Sequence, residues 1–380
     1  MTVGFITPEY PHPRVKLAAG LATSTKNLIT QLIKSDIKVI VFVYHQDEDD
    51  VIYDNGVEIH LIKSKFYKAF GWYLYRKYLN KYINNIVEKN KIDLLEAPDW
   101  TGITAFMTFK KPLVIRFHGS DAYFCKLEKR KQKFKNFFFE KLALKNADAY
   151  IAPTRFAGEE TQKIFGLNKD KIKTIHYGLN LEGFVNETPQ KFEANTLLYI
   201  GTIIRKKGVF ELAKTFNKVI ESVPDAKLIL IGSDSGDYKT GSHSTYELME
   251  QIFTPQAKKQ ASYLGKVPYA QINEYIKSAN VCAFPSFAET LGMVTIESMA
   301  LQKPVVNTNI GWAKELIDDQ ISGYLVHPDN IDLYAERIVT LFNDIDLCTK
   351  IGKHSREKVK ADFDIDKQVK KNISYYKSLI

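Results

Sequence analysis

The segment Phe284–Glu297 reads FPSFAETLGMVTIE and carries two carboxylates, Glu289 and Glu297, eight positions apart across a Thr290-Leu291-Gly292 turn. Its left flank, VCAFPS, has the apolar run of a buried strand, and its right flank, GMVTIESMAL, has helical spacing. Glu289 is therefore expected at the mouth of a strand-to-helix loop, with Glu297 in the second turn of the helix. At ~1.5 Å of rise per residue, Gly292 and Glu297 stand roughly 8 Å apart. That separation lets one carboxylate reach a sugar ring and the other a ribose. The amides of Leu291, Gly292 and Met293 lie between them, at the positive end of a helix dipole where a diphosphate is well placed. An exposed loop glutamate beside a solvated helix glutamate is the plainer reading of the same letters. The flanking strand, glycine and helix favour the first.

A second constellation follows the strand-like TLLYIG and reads Gly201-Thr202-Ile203-Ile204-Arg205-Lys206-Lys207-Gly208, with a helix from Val209. Three consecutive cations just ahead of a helix N-terminus oppose its dipole. A bound diphosphate offsets that mismatch, because arginine offers a fork of donors and lysine a point charge. Lys206 is expected to face water; a wholly solvated basic turn is the alternative. Asp99 and Trp100, in EAPDWTG, and Asp121 sit at other strand ends and are candidate contacts for a second substrate. Asp99 suits equally well the cap of a helix starting near Thr101. Asp47-Glu48-Asp49, Asp344-Ile345-Asp346 and Asp364-Ile365-Asp366 each spell Asp-x-Asp. A magnesium site needs such carboxylates beside substrate phosphates. These lie in a polar loop and near C-terminal helices, so surface positions are expected and no metal site is assigned.

The elements that must position these residues alternate throughout. In the first half the strand-like runs are VGFIT, IKVIVFVY, EIHLI, IDLLEA, LVIRFHG, AYIAPT and KIKTIHYG, with helices such as Leu21–Ser35, Tyr73–Asn90 and Arg155–Phe165 between them. A second series begins at TLLYIG and continues through AKLILIG, ASYLG, VCAFPS, PVVNTN and GYLVHP. Two successive doubly wound series predict an α/β chain of two Rossmann-like domains facing a cleft, with ligands at the carboxyl ends of the strands. The expected boundaries are residues 1–185 and 193–362, with Leu181–Asn195 as linker and a terminal helix, 363–380, crossing back onto the first domain. The loop after the first strand, TPEYPHPRVKLAAG, lacks the GxGxxG of nicotinamide-binding domains. The insertion Ser233–Ser262 has no readable logic.

These motifs together resemble the retaining GT-B glycosyltransferases of the family-four, or group 1, type. That group places a Glu-x7-Glu pair after an FPS-type strand, as Glu289 and Glu297 are placed here. Its Gly-Arg-x4-Lys-Gly phosphate loop is matched by Gly201-Thr202-x4-Lys207-Gly208, with Arg205 standing in for the arginine missing at Thr202. Ala19-Gly20-Leu21 resembles the loop that closes over donor phosphates, and Arg116-Phe117-His118-Gly119-Ser120-Asp121 the His-Gly strand end near the transferred sugar. Tyr177-Gly178-Leu179-Asn180 is similar to the interdomain segment, and Leu264-Gly265-Lys266-Val267 to the segment that holds the base. The resemblance implies a nucleotide-sugar donor and a glycan or lipid-linked acceptor of cell-surface polysaccharide synthesis. It implies catalytic roles for Glu289, His118, Arg205 and Lys207. Gly20, Gly201, Val267, Thr290, Leu291, Gly292 and Glu297 would contact the donor, and neither metal nor cofactor is needed. A GT-B sugar-nucleotide epimerase and a non-catalytic nucleotide-sugar or membrane-binding subunit are the alternatives.

Composition agrees with a soluble two-domain chain: 380 residues, 45% hydrophobic and 26% charged, with a formal net charge of +9. Three separated cysteines (Cys125, Cys282, Cys348) fit a reducing, cytoplasmic setting. The N-terminus has no signal-peptide pattern, and no apolar run approaches a membrane span. Charge is concentrated: residues 60–145 hold 19 lysines and arginines against 7 aspartates and glutamates. Within that region Lys63–Tyr82 and Lys126–Lys145 interleave lysines with aromatics, which suits the inner, anionic face of a membrane. A solvated lysine face over core aromatics fits equally. No nucleic-acid-binding motif appears.

Overall fold

The computed structural model describes residues 1–17 and 20–380. The chain forms two units, Met1–Gly178 with Ile365–Ile380, and Leu179–Asp364. In the first lie β1 (Thr2–Thr7), α1 (Gly20–Lys34), β2 (Lys38–Gln46), β3 (Asp50–Asp54), β4 (Val57–Lys63), α2 (Gly71–Lys89), β5 (Leu94–Pro98), β6 (Leu113–Arg116), α3 (Asp121–Leu127), α4 (Phe134–Lys145), β7 (Ala149–Ala152), α5 (Arg155–Phe165) and β8 (Ile172–Thr174). Their sheet runs β3-β4-β2-β1-β5-β6-β7-β8, parallel except for the β3–β4 hairpin. Strand β2 shows why the sheet is covered on both faces. Ile40, Phe42 and Tyr44 join Leu79, Ile83 and Val87 of α2 in one core, whereas Val39, Val41 and Val43 join Ile29 and Leu32 of α1 in the other. A side-chain period of two thus feeds two apolar layers from one strand.

The second unit holds β9 (Thr196–Ile200), α6 (Val209–Ser222), β10 (Lys227–Ile231), α7 (Thr245–Glu250), α8 (Pro255–Gln260), β11 (Ala261–Tyr263), α9 (Tyr269–Ser278), β12 (Val281–Phe284), α10 (Met293–Ala300), β13 (Val305–Asn307), β14 (Tyr324–Leu325), α11 (Ile331–Asn343) and α12 (Ile345–Asp362). Its all-parallel sheet is ordered β11-β10-β9-β12-β13-β14. The strand order reverses between β9 and β12 here, and between β1 and β5 in the first unit. Ligands of doubly wound sheets bind outside such reversals.

Each strand-like run of the sequence forms a strand in its expected place. The hairpin strand β3 was not anticipated, although Asn55-Gly56, both at positive φ (48° and 84°), is the residue pair a two-residue hairpin favours. Residues 181–195 also differ from expectation. They contain no strand or long helix, yet they are packed: Phe184 and Asn186 are buried, and Asn186 donates to the Leu301 carbonyl at 2.9 Å.

The terminal helix α13 (Ile365–Lys377) belongs to the first unit, where Val369 and Tyr376 enter the core shared with α1. A buried polar network anchors it. Arg116 donates to both Glu96 oxygens (2.7 and 2.9 Å) and to Asn372 Oδ1 (2.6 Å), and the Tyr376 hydroxyl donates to Glu96 at 2.5 Å.

In the second unit Gly208 lets the β9 and β12 loops meet. Its φ is +71°, and a Cβ there would stand 1.9 Å from the Pro285 carbonyl oxygen. Gly208→Ala is expected to cost at least about 2 kcal/mol, because it combines left-handed strain with a backbone clash. Urea unfolding checks this, and a change below about 0.5 kcal/mol would contradict the packing described.

Candidate active site

The loop after β9 and the loop after β12 lie side by side at the switch point, tied by the Phe287 amide donating to the Lys206 carbonyl at 2.8 Å. Residues 205–207 form a single 3-10 turn ending at Gly208, and this aims Lys207 inward. Its ammonium pairs with the Glu289 carboxylate. The two residues share a narrow pocket with Tyr199, Ser286, Gly292 and Asn307. Burial pulls the Lys207 ammonium below its ordinary range, helped by the neighbouring Lys206 charge.

Helix α10 starts at this pocket. Gly292 is its N-cap at φ 91° and has no side chain to accept from the first-turn amides. Thr290 and Leu291 are buried in the approach to the cap. Thr295, one turn in, accepts from Asn307 Nδ2 at 2.9 Å, which fixes the β13 end against the helix. Glu297 is buried, and Tyr269 Oη donates to it at 2.7 Å. Burial pushes the Glu297 carboxyl up, and the Tyr269 hydrogen bond partly offsets that. Gly201 follows β9 directly, and half-buried Val267 follows β11 beyond Gly265, whose carbonyl accepts from the Gly232 amide at 2.9 Å. Among the donor-side residues expected from sequence, Lys207, Glu289 and Gly292 line one pocket.

Arg205 departs from expectation. It is not held open for an anion: Nε and Nη2 each donate to Asp237 at 2.7 Å, and the guanidinium lies 4.5 Å from the Phe210 ring centroid. Asp237 is buried and also accepts from Thr240 Oγ1 at 2.7 Å. This pairing holds its carboxyl well below the usual range, the Arg205 hydrogen bonds being the largest cause. The insertion 233–262 thus clasps the basic turn. Sequence reasoning missed Asp237 because nothing in its surroundings marks it as a partner of a residue 32 positions earlier.

In the first unit, half-buried His118 stacks on Tyr177, with Nδ1 2.7 Å from the Tyr177 hydroxyl, and lines a small pocket with Thr7, Thr25 and Glu96 at the β1/β5 switch point. Burial, with the Arg116 charge adding to it, holds its imidazole neutral at ordinary pH. Gly20 opens α1, and among the described residues no packing partner beyond its own chain neighbours and helix backbone comes within 4 Å of where a Cβ would stand. Ala19, its neighbour in the expected loop, lies outside the described residues.

The acceptor candidates separate. Trp100 is 44% exposed. Asp121 is half-buried and paired with Arg130 at 2.9 Å. Asp99 is 1% exposed and faces inward, which corrects its placement at an open strand end. It caps nothing through its side chain either; Oδ1 accepts from the His118 amide at 2.9 Å, and Oδ2 has no partner. Burial, its main perturbation, raises the Asp99 carboxyl to about 7.

A stability consequence follows for Asp99. The folded chain keeps this proton up to about pH 7, whereas an unfolded aspartate loses it near pH ~4. Stability from this group is therefore lost as pH rises from about 4 to about 7. Asp99→Asn should gain on the native protein across that window, by on the order of 1 kcal/mol per pH unit. Urea unfolding of both proteins at pH 5 and pH 8 measures the gap; an equal gap at both would rule out the buried, unpartnered oxygen.

The Asp-x-Asp carboxylates have structural partners: Asp47 pairs with Lys16, Glu48 with Arg14, and Asp344 caps α12 through the Leu347 amide at 2.8 Å. Among the described residues no group of three His, Cys, Asp or Glu could hold a metal, and no helix is long and apolar enough to cross a membrane.

Comparison with known proteins agrees with this geometry. Residues 184–358 match the family "Glycosyl transferases group 1", and residues 18–182 match "Glycosyltransferase Family 4". An uncharacterised glycosyltransferase of Methanocaldococcus jannaschii is 24% identical over 99% of this chain and 98% of its own. The capsular polysaccharide biosynthesis glycosyltransferase CapM of Staphylococcus aureus is 28% identical over 52% of this chain and 47% of its own. Among solved structures, Anabaena HepE in complex with UDP-glucose superposes with a TM-score of 0.73 at 18% identity, covering 99% of this chain and 100% of that one. Two family matches in tandem, on two doubly wound units with a cation–glutamate pair at the second switch point, lead to one assignment: the chain belongs to the group 1 glycosyltransferases and has their GT-B architecture.

Proposed function

We propose that this protein is a retaining, metal-independent hexosyltransferase. It moves a hexose-type unit from a nucleotide sugar to a glycan or lipid-linked acceptor in the building of a cell-surface polysaccharide. The observation that carries this reading is the pocket in which Lys207 and Glu289 meet the open N-terminus of α10. A nucleoside diphosphate sugar needs these features: a cation and free amides for the diphosphate, and a carboxylate for sugar hydroxyls. The UDP-glucose complex of HepE and the polysaccharide role in the name of CapM support the donor and acceptor classes.

In the reaction, the bond between the anomeric carbon and the phosphate oxygen breaks, and its electron pair leaves with the diphosphate. The ring carbon passes through an oxocarbenium-like state. The acceptor oxygen bonds the same face, and its proton goes to the departing phosphate oxygen. Lys207 and the α10 amides stabilise the developing negative charge. Glu289 positions the sugar through its hydroxyls, and Glu297 accepts from the ribose. His118, in the first unit, is neutral and so has a hydrogen bond and no charge to offer a substrate. Arg205, held by Asp237, is assigned the positioning of the basic turn, not a direct phosphate contact.

Thermal stabilisation by a panel of UDP-, GDP- and ADP-sugars tests the donor assignment. The best donor is then incubated with chelator present, and the anomeric configuration of the product is read by NMR. A shift with one donor class and an unchanged configuration are expected. No shift with any nucleotide sugar, or an inverted product, defeats the proposal.

A further inference from the structure

The two lysine- and aromatic-rich stretches of the first unit, far apart in sequence, are joined in the structure by a continuous run of rings. Phe134 stacks on Phe138 at 6.3 Å between centroids, Phe138 meets Phe106 at 6.2 Å, and Phe106 meets Trp72 at 5.5 Å. Trp72 rests on Phe139 at 5.0 Å. Phe139 is the buried foot of this ladder, and Gly102 packs directly against its backbone. The outer end of the ladder remains in solvent, Phe134 being 81% exposed; Phe66 and Phe70, outside the ladder and just ahead of α2, are 93% and 71% exposed. Lys126–Lys145 is divided between two helices. α3 ends at Leu127 and α4 begins at Phe134, so residues 128–133 form a basic connection beside the exposed rings.

Charge selects the occupant. None of the lysines between 63 and 81, or between 129 and 145, forms an ion pair among the described residues; the nearby pairs are made by Lys110, Lys126 and Arg130. Exposed aromatic side chains that are rigidly stacked at the base and rimmed by unneutralised lysines match a surface that is apolar below and negative above. We infer that this face of the first unit docks on an anionic phospholipid bilayer. Phe66, Phe70, Phe134 and Phe138 enter the headgroup boundary, and the lysines lie against lipid phosphates. The inference does not depend on the donor assignment, because every residue in it belongs to the first unit and none to the Lys207–Glu289 pocket.

Vesicle co-sedimentation of the full chain tests it, with vesicles of phosphatidylcholine alone or mixed with phosphatidylglycerol. The protein should pellet with the mixed vesicles only, and less as salt rises. Two variants separate the contributions: Phe134→Ser with Phe138→Ser, and Lys131→Glu with Lys133→Glu. Each lysine near an anionic surface is worth a factor of roughly five, so the charge-reversed protein should bind about tenfold more weakly or worse. Thermal unfolding and donor-induced stabilisation, measured without vesicles, should match the native protein in both variants and so separate a docking defect from misfolding. Equal binding to both vesicle types, no binding to the mixed ones, or native-like binding by both variants overturns the proposal. So does a dimer in solution that Phe134→Ser with Phe138→Ser dissociates, since the surface would then belong to a second copy.

Discussion

Glu289→Gln and Lys207→Ala are each expected to lower donor turnover by at least about 100-fold, the scale of losing one key transition-state contact in a pre-organised site. The ion pair between these side chains adds a sharper expectation. Removing either takes away a charge that the other is paired with in a partly enclosed pocket, so each single variant loses its own contact and disturbs its partner. The double variant should therefore be little worse than the poorer single one. A loss equal to the product of the single losses would mean that the two side chains act apart.

The pH profile gives an independent readout of the same pair. Burial pulls the Lys207 ammonium down, to about 7, with the Lys206 charge as the secondary cause. The protonated form is the one that stabilises a departing diphosphate, so kcat/KM should fall as pH rises through and beyond that value. Glu289 favours the protonated ammonium. With Gln at 289 the residual activity should fall away at lower pH than in the native protein. An unchanged alkaline limb would show that a different group titrates.

Arg116→Met is expected to have the largest effect on folding, about 3–5 kcal/mol. Arg116 and Glu96 are both buried, and the substitution strands the Glu96 carboxylate in the core with the Tyr376 hydroxyl as its remaining hydrogen-bond partner among the described residues. The loss should concentrate at α13, because Arg116 also holds Asn372 of that helix. Hydrogen exchange should accelerate across residues 365–377 before it does in the central strands. Pairing Arg116→Met with Glu96→Gln should recover part of the stability by removing the stranded charge. If the single variant unfolds at native urea concentrations and its α13 amides stay protected, the network is not the anchor described.

Much of the fold was legible because its signals are local. Strand β2 advertises burial on both faces through an unbroken apolar run, and α5 spans Arg155–Phe165 as its spacing predicts. The exception, β3, is short and polar, and it exists mainly through pairing with β4.

For the candidate site, the division follows the same physics. Lys207-Gly208 and Glu289 to Glu297 are each contiguous strand–loop–helix segments, so residue order alone specified their local geometry and the chemistry they could do. Which residues face one another was decided only in three dimensions. Lys207 meets Glu289 across 82 positions because β9 and β12 are neighbours in the sheet, and Arg205 is claimed by an aspartate from an insertion with no recognisable pattern. Asp99 reads as a surface turn residue, yet close packing around the β5 end takes it out of water and hands its oxygen to the His118 amide. Periodicity records which face of an element is apolar. It carries no record of which distant polar group that face will bring into contact, and there the electrostatics of this site are set.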